Sequence, residues 1–139
     1  LTVKELSQLY WLKREVAMDE KRLLELEELA LSPKTPNYDG MPHAPSLDHD
    51  AVMVNTVEEI LDLKALIMAK KLRCFKEQLR LEEYIAAVPD SLTRQIFTLR
   101  FIECLSWAKV AAQIGGGNTD TAVRLRVYRY LKLEKSEID

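Results

Sequence analysis

Two groups of residues carry side chains that could do chemistry. The first is His43, Asp48, His49 and Asp50, nitrogen and oxygen donors gathered in one short stretch. Their spacing matches no zinc pattern, and a proline-rich segment does not hold ligands in place, so no metal is expected there. Cys74 and Cys104 could act as nucleophiles only beside one of these histidines, and nothing in the sequence arranges that. The run Gly115, Gly116, Gly117 follows no strand and lacks the Lys-Ser/Thr ending of a phosphate-binding loop. The acidic residues are scattered as solvated helix charges. No catalytic residue, metal or cofactor is expected, and the chain does not read as an enzyme.

The second group lies near the end of the chain. Taking a helix from Asp120 to Leu133 and turning about 100° per residue puts Val123, Val127, Tyr130 and Leu131 on one side. Thr121, Leu125, Tyr128, Arg129 and Lys132 then project from the other, with Arg124 and Arg126 on the flanks. Such a face has a chemistry of its own. A guanidinium can make paired hydrogen bonds to guanine, Thr or Leu can touch a thymine methyl, and Tyr and Lys can reach phosphates. At the start of that helix, Thr119 to Thr121 could point free backbone N–H groups at a phosphate, and Asn118 beside them is a further DNA-binding candidate.

The elements that must position this face are legible nearby. Trp107 to Ile114 reads as a helix capped by Ser106, with Trp107, Val110, Ala111 and Ile114 inward. Thr119, or else Asn118, is placed to cap the next helix. Three of the four glycines of the chain fall between the two helices. Gly115 is expected to take the left-handed conformation that ends the first helix, which makes the pair a helix-turn-helix unit.

Further upstream the pattern changes. Thr2-Val3-Lys4-Glu5 is a capping box, opening a helix to Leu31. In it Leu9, Leu12, Val16, Asp19, Leu23, Leu26 and Ala30 recur at alternating spacings of three and four, a heptad seam with one polar interruption. Ser32 to Asn55 holds four of the five prolines and is expected to be a structureless connection, with a local turn at Asn37-Tyr38-Asp39-Gly40. A second capping box, Thr56-Val57-Glu58-Glu59, is expected to open a long helix running to Val88.

That helix bears two seams. One is Leu61, Ala65, Met68, Leu72, Phe75, Leu79 and Ala86, with Glu82 as its polar exception. The other is Ile60, Leu63, Ile67, Cys74, Leu81, Tyr84 and Val88. Two apolar seams imply burial on two sides. The two long helices are expected to form an antiparallel hairpin that pairs with a second copy through Leu61, Met68, Leu72, Phe75 and Leu79. The alternative is that the C-terminal helices cover the extra face within one chain. Pro89-Asp90-Ser91 breaks the helix, and Leu92 to Cys104 follows as a shorter one.

A chain of 139 residues is about one domain in length, enough to bury a core. The net charge of −2 conceals opposite halves: residues 1–90 hold 12 basic and 17 acidic side chains, residues 91–139 hold 8 and 5. From Thr121 to Lys135 there are five basic residues against Glu134 alone. No apolar run approaches the ~20 residues that span a bilayer, so no membrane partner is expected. The opening LTVKELSQLYW lacks the order of a signal peptide, and the two cysteines share no CxxC spacing. Both point to a reducing cytoplasm.

The stretch DSLTRQIFTLRFIECLSWAKVAAQIGGGNTDTAVRLRVYRYLKL, Asp90 to Leu133, resembles region 4 of sigma-70-type factors, the part that reads an upstream promoter element. The similar pieces are RQIFTLRFIE, SWAKVAAQIG and VRLRVYRYLKL. Long helices followed by this module resemble the small phage and prophage regulators of the ArpU and RinA kind. The resemblance implies a DNA-binding regulator that activates late or packaging genes in a bacterial host. It places Thr121, Arg124, Leu125, Tyr128 and Arg129 at base and phosphate contacts and Lys109 near the backbone. No aromatic-rich promoter-melting helix is present, which excludes a complete sigma factor, and the triple glycine is longer than the usual turn.

The expected protein is thus all-α. A long, coiled-coil-like helical hairpin, residues 1–88, is followed by a helix-turn-helix module, residues 89–139. Its expected partners are double-stranded DNA, RNA polymerase as a further candidate, and copies of itself as a homodimer or higher oligomer. A two-fold dimer would call for an inverted-repeat site. Two other readings share the features: a small terminase-like DNA-packaging subunit, and a helical scaffold that contacts polymerase without binding DNA.

Overall fold

The computed structural model describes residues 1–31 and 47–138, with residues 47–53 and 138 described by their backbone alone. The described chain is all-helical. Its elements are α1 (Val3–Leu6), α2 (Gln8–Leu31), α3 (Leu47–Ala86), α4 (Ser91–Phe97) running on into a π-helical turn (Thr98–Ile102), α5 (Trp107–Ile114) and α6 (Asp120–Ile138). No described helix is long and apolar enough to cross a membrane.

The first capping box forms as expected. The Thr2 hydroxyl accepts from the Glu5 N–H at 3.2 Å, and the Glu5 carboxylate accepts from the Thr2 N–H at 2.8 Å. The helix it opens is interrupted once, at Ser7, whose N–H and hydroxyl both donate to the Val3 carbonyl, at 3.0 and 2.7 Å, while the next ladder bond, from the Trp11 N–H to the Ser7 carbonyl, is stretched to 3.4 Å. The second capping box opens nothing. Helix α3 already starts at Leu47, because from there to Ala86 the sequence has no Gly or Pro to stop it. The expected structureless connection therefore ends earlier than Asn55. Its remainder, with the turn at Asn37 to Gly40 and His43, lies outside the described residues, and of Asp48, His49 and Asp50 only the helical backbone is described.

The chain divides into two compact units: Leu1–Arg14 with Leu72–Asp139, and Glu15–Lys71. This differs from the expected border at 88/89, since the first turns of the chain and the last turns of α3 join the C-terminal helices. The reason is the core. Leu6, Leu9, Leu81 and Ile85 are buried in the same apolar cluster as Phe97, Val110 and Val127.

In the unit Glu15–Lys71, α2 and α3 run antiparallel. Asp19 pairs with Lys70 at 2.6 Å and Glu20 with Lys71 at 2.8 Å at one level, and Glu27, further along α2, pairs at 3.5 Å with Lys64, further back along α3. The heptad seam faces inward: Val16 and Leu26 are buried, and Leu23 and Ala30 half-buried. The polar interruption is explained by Asp19, which meets Lys70 where the seam is half-buried. From α3, Ile67 is buried, with Ile60 and Leu63 half-buried.

In the other unit, Phe97 is the centre. It is fully buried, with ring centroids 6.1 Å from Tyr84, 5.4 Å from Phe101 and 5.6 Å from Tyr130. Phe97 and Phe101 both reach the core across the π-helical turn, where the Glu103 N–H bonds back five residues to the Thr98 carbonyl at 3.0 Å. Cys104 closes that turn at φ 59°, with its thiol directed at the Phe101 and Ile102 carbonyls. Burial pushes the Cys104 thiol up, away from the reactive thiolate. Cys74 packs half-buried against the core, as a small apolar group.

Candidate nucleic-acid interface

Helix α5 starts and stops where its sequence directs. The Ser106 hydroxyl accepts from the Lys109 N–H at 3.3 Å. At the far end the Gly115 N–H bonds to the Ala111 carbonyl at 3.0 Å. The three glycines then turn the chain with φ of 69°, 64° and 76° in succession. Gly115 departs from the expected left-handed helical cap. Its ψ of −153° places it in a region open essentially to glycine alone. A Cβ on Gly115 or Gly117 would meet nothing within 4 Å. The glycines are there for backbone conformation, not for close approach.

The corner is closed by Asn118, whose N–H and side-chain amide both donate to the Gly115 carbonyl, at 3.2 and 2.8 Å. The cap of α6 falls to Thr119, which accepts from the Ala122 N–H at 3.1 Å. Asp120 accepts from the Thr121 N–H at 2.7 Å and, more weakly, from its hydroxyl at 3.4 Å. Of the N–H groups expected to await a phosphate, that of Thr121 is thereby already bonded, to a carboxylate. A phosphate at this helix start would have to displace Asp120.

Helix α6 is anchored by one side. Val123 is 2 % exposed, Val127 0 % and Leu131 9 %, with Tyr130 half-buried beside them. From α5, Val110 and Ala111 are buried, and Trp107 and Ile114 pack on the same core. The inner faces of both helices are the ones their periodicity gives.

All nine sequence-derived candidates, Lys109, Asn118, Thr119, Thr121, Arg124, Leu125, Tyr128, Arg129 and Lys132, are exposed. Five of them, Thr121, Leu125, Tyr128, Arg129 and Lys132, share the outer side of α6, and Arg124 borders it. Lys109 lies on α5, and Asn118 is engaged in the corner. Glu134, the one acidic residue between Thr121 and Lys135, turns the other way and accepts from the Tyr84 hydroxyl at 2.5 Å. Burial, and then that bond, push the Tyr84 phenol up, so it stays a neutral donor. The outer side of α6 is left basic without an interspersed acid.

The arginines divide by task, a distinction that sequence alone did not make. Arg126 leaves the flank of α6 to meet Asp90 at 2.9 Å and the Thr93 hydroxyl at 3.2 Å. Arg94 donates to the Val88 and Pro89 carbonyls at 2.7 and 3.0 Å, holding the end of α3. Arg100 donates to the Leu105 carbonyl at 2.8 Å and lies 4.5 Å from the Trp107 ring centre. Among the described residues, Arg124, Arg129, Lys132 and Lys109 make no ion pair or side-chain hydrogen bond. The helix cap at Asp90 was findable as an Asp three residues before Thr93. Its arginine partner, 36 residues away, was not.

No protein-family model, no characterised protein and no solved structure matches this chain.

Proposed function

We propose that α5, the glycine corner and α6 act as a helix-turn-helix that reads double-stranded DNA, with α6 as the helix entering the major groove. The protein is then a transcription regulator of the phage and prophage kind that its resemblance implies, activating late or packaging genes. One observation carries the reading. Arg124 and Arg129 stand exposed and unpaired beside Thr121, Leu125 and Tyr128, on a helix whose opposite side is locked into the core. The other arginines of the module are all occupied in holding it together.

On this reading Arg124 and Arg129 contact bases, Leu125 and the Thr121 methyl supply apolar contact, and Tyr128, Lys132 and Lys109 meet phosphates. Thr119 and Asn118 serve the corner rather than the DNA. The rigid inner side of α6 supplies preorganisation, since the face need not be ordered when DNA binds.

Selection of duplexes from a random pool by the purified protein tests this. Enrichment of one sequence, with affinity that falls steeply as salt rises, is the expected result. Recovery of an unenriched pool removes the DNA-reading function and leaves this face for a protein partner such as RNA polymerase.

A further inference from the structure

Helix α3 carries its two apolar stripes on nearly opposite sides. The stripe containing Ile67 and Leu81 is buried. The other is not: Leu61 is 59 % exposed, Met68 71 %, Leu72 54 %, Phe75 59 % and Leu79 49 %. Ala65 is exposed in the same row. Within their own unit, the C-terminal helices do not cover Leu72, Phe75 and Leu79. Single exposed apolar residues are ordinary, but an unbroken row from Leu61 to Leu79, about 27 Å of helix, is not.

We propose that this stripe binds a second copy of the chain, with the two α3 helices packed antiparallel. The spacing of four and three is the self-matching pattern of helices that pair lengthwise. Layer sizes and flanking charges select the direction. Antiparallel pairing about the middle of the stripe sets Ala65 against the partner subunit's Phe75, Leu61 against the partner subunit's Leu79, and Met68 against the partner subunit's Leu72. The largest side chain then faces the smallest. On one flank Asp62 meets the partner's Lys76, and by symmetry the contact occurs twice.

Parallel pairing does worse on both counts. It stacks Phe75 on the partner's Phe75 and sets Lys71 beside the partner's Lys76 twice, whereas antiparallel pairing has one like-charge contact, Lys71 with the partner's Lys71, against two Asp62–Lys76 attractions. The unbroken part of the stripe ends at Glu58 and Glu82, which in this antiparallel register oppose each other beyond the last Leu layer, where solvent screens the like charges. This inference is independent of the DNA-binding reading, because association is measured without DNA.

The test is sedimentation equilibrium of the full chain and of Leu72→Glu, Lys76→Asp, Asp62→Lys and the double variant D62K/K76D. Circular dichroism checks that each keeps its helicity, as expected for changes at exposed positions. The wild type should be a dimer. Leu72→Glu should weaken it about 30-fold or more, as for a residue central to an interface. Lys76→Asp and Asp62→Lys should each weaken it, and the double variant should restore it. A wild type that stays monomeric at every concentration, or a Leu72→Glu dimer of undiminished affinity, overturns the proposal. So does a Lys76→Asp variant that dimerises more tightly, since parallel helices alone gain from that change.

Discussion

Arg126 on α6 reaches Asp90 at the N-cap of α4, its guanidinium 2.9 Å from the Oδ2 that also accepts from the Thr93 N–H and hydroxyl. One carboxylate oxygen thus caps one helix and fixes another. The bonds from Thr93, then that from Arg126, hold the Asp90 carboxyl well below the usual carboxylate range. Thr93 is 4 % exposed, a buried hydroxyl satisfied by this junction.

Thr93→Val should therefore cost about 1 kcal/mol of stability, by removing a buried hydrogen bond without changing volume. Urea unfolding measures it. An unchanged midpoint would mean that the hydroxyl does not hold the junction.

The pH dependence follows from the sign of the Asp90 shift. A carboxyl with a folded pKa below its unfolded one stabilises above the unfolded value, near 4, and loses that contribution as pH falls through the folded value. Asn also caps helices, so Asp90→Asn removes mainly the charge. The wild type should exceed this variant in stability by a constant margin near pH 7, with the gap closing below about pH 5. A gap that widens in acid would reverse the assignment.

At the corner, Gly115→Ala should destabilise by about 1–3 kcal/mol, the cost of holding a side-chain-bearing residue in that backbone region. Because the added Cβ meets nothing within 4 Å, the loss comes from φ and ψ alone. Thermal melting of the variant reads it directly.

In the unit Glu15–Lys71, Asp19 interrupts an apolar seam and meets Lys70 at 2.6 Å with both side chains about one-fifth exposed. Asp19→Ala should cost about 1–2 kcal/mol. Replacing both residues with Leu should melt at or above the wild-type temperature, since apolar packing commonly equals or exceeds a half-buried ion pair. A double variant far less stable than the single one would show that the pair does more than fix the helix register.

Local rules made much of this legible. The seams of α2 and α3, the caps at Thr2, Ser106 and Thr119, and the inner face of α6 depend on periodicity and on neighbours three or four residues apart. What was not legible depends on distant partners. Asp90 and Arg126 are one case, and the joining of Leu6 and Leu9 to the C-terminal core is another. The early start of α3 shows a capping motif overridden by a sequence with nothing to stop the helix. Gly115 was legible as a residue needing positive φ, but its ψ is set by the two glycines and the Asn118 bonds that follow. The nine candidate residues emerged as exposed, yet only the structure separated Arg124 and Arg129 from the arginines that hold the module together.

The proposed reading of DNA by α6 depends on those two side chains. The most direct measurement compares wild type with Arg124→Ala/Arg129→Ala for binding to the selected duplex and to a scrambled duplex of equal composition, at fixed salt. The variant should lose discrimination, each arginine being worth about 1–3 kcal/mol on the selected sequence and much less on the scrambled one. A variant that keeps the full preference for the selected duplex would contradict it.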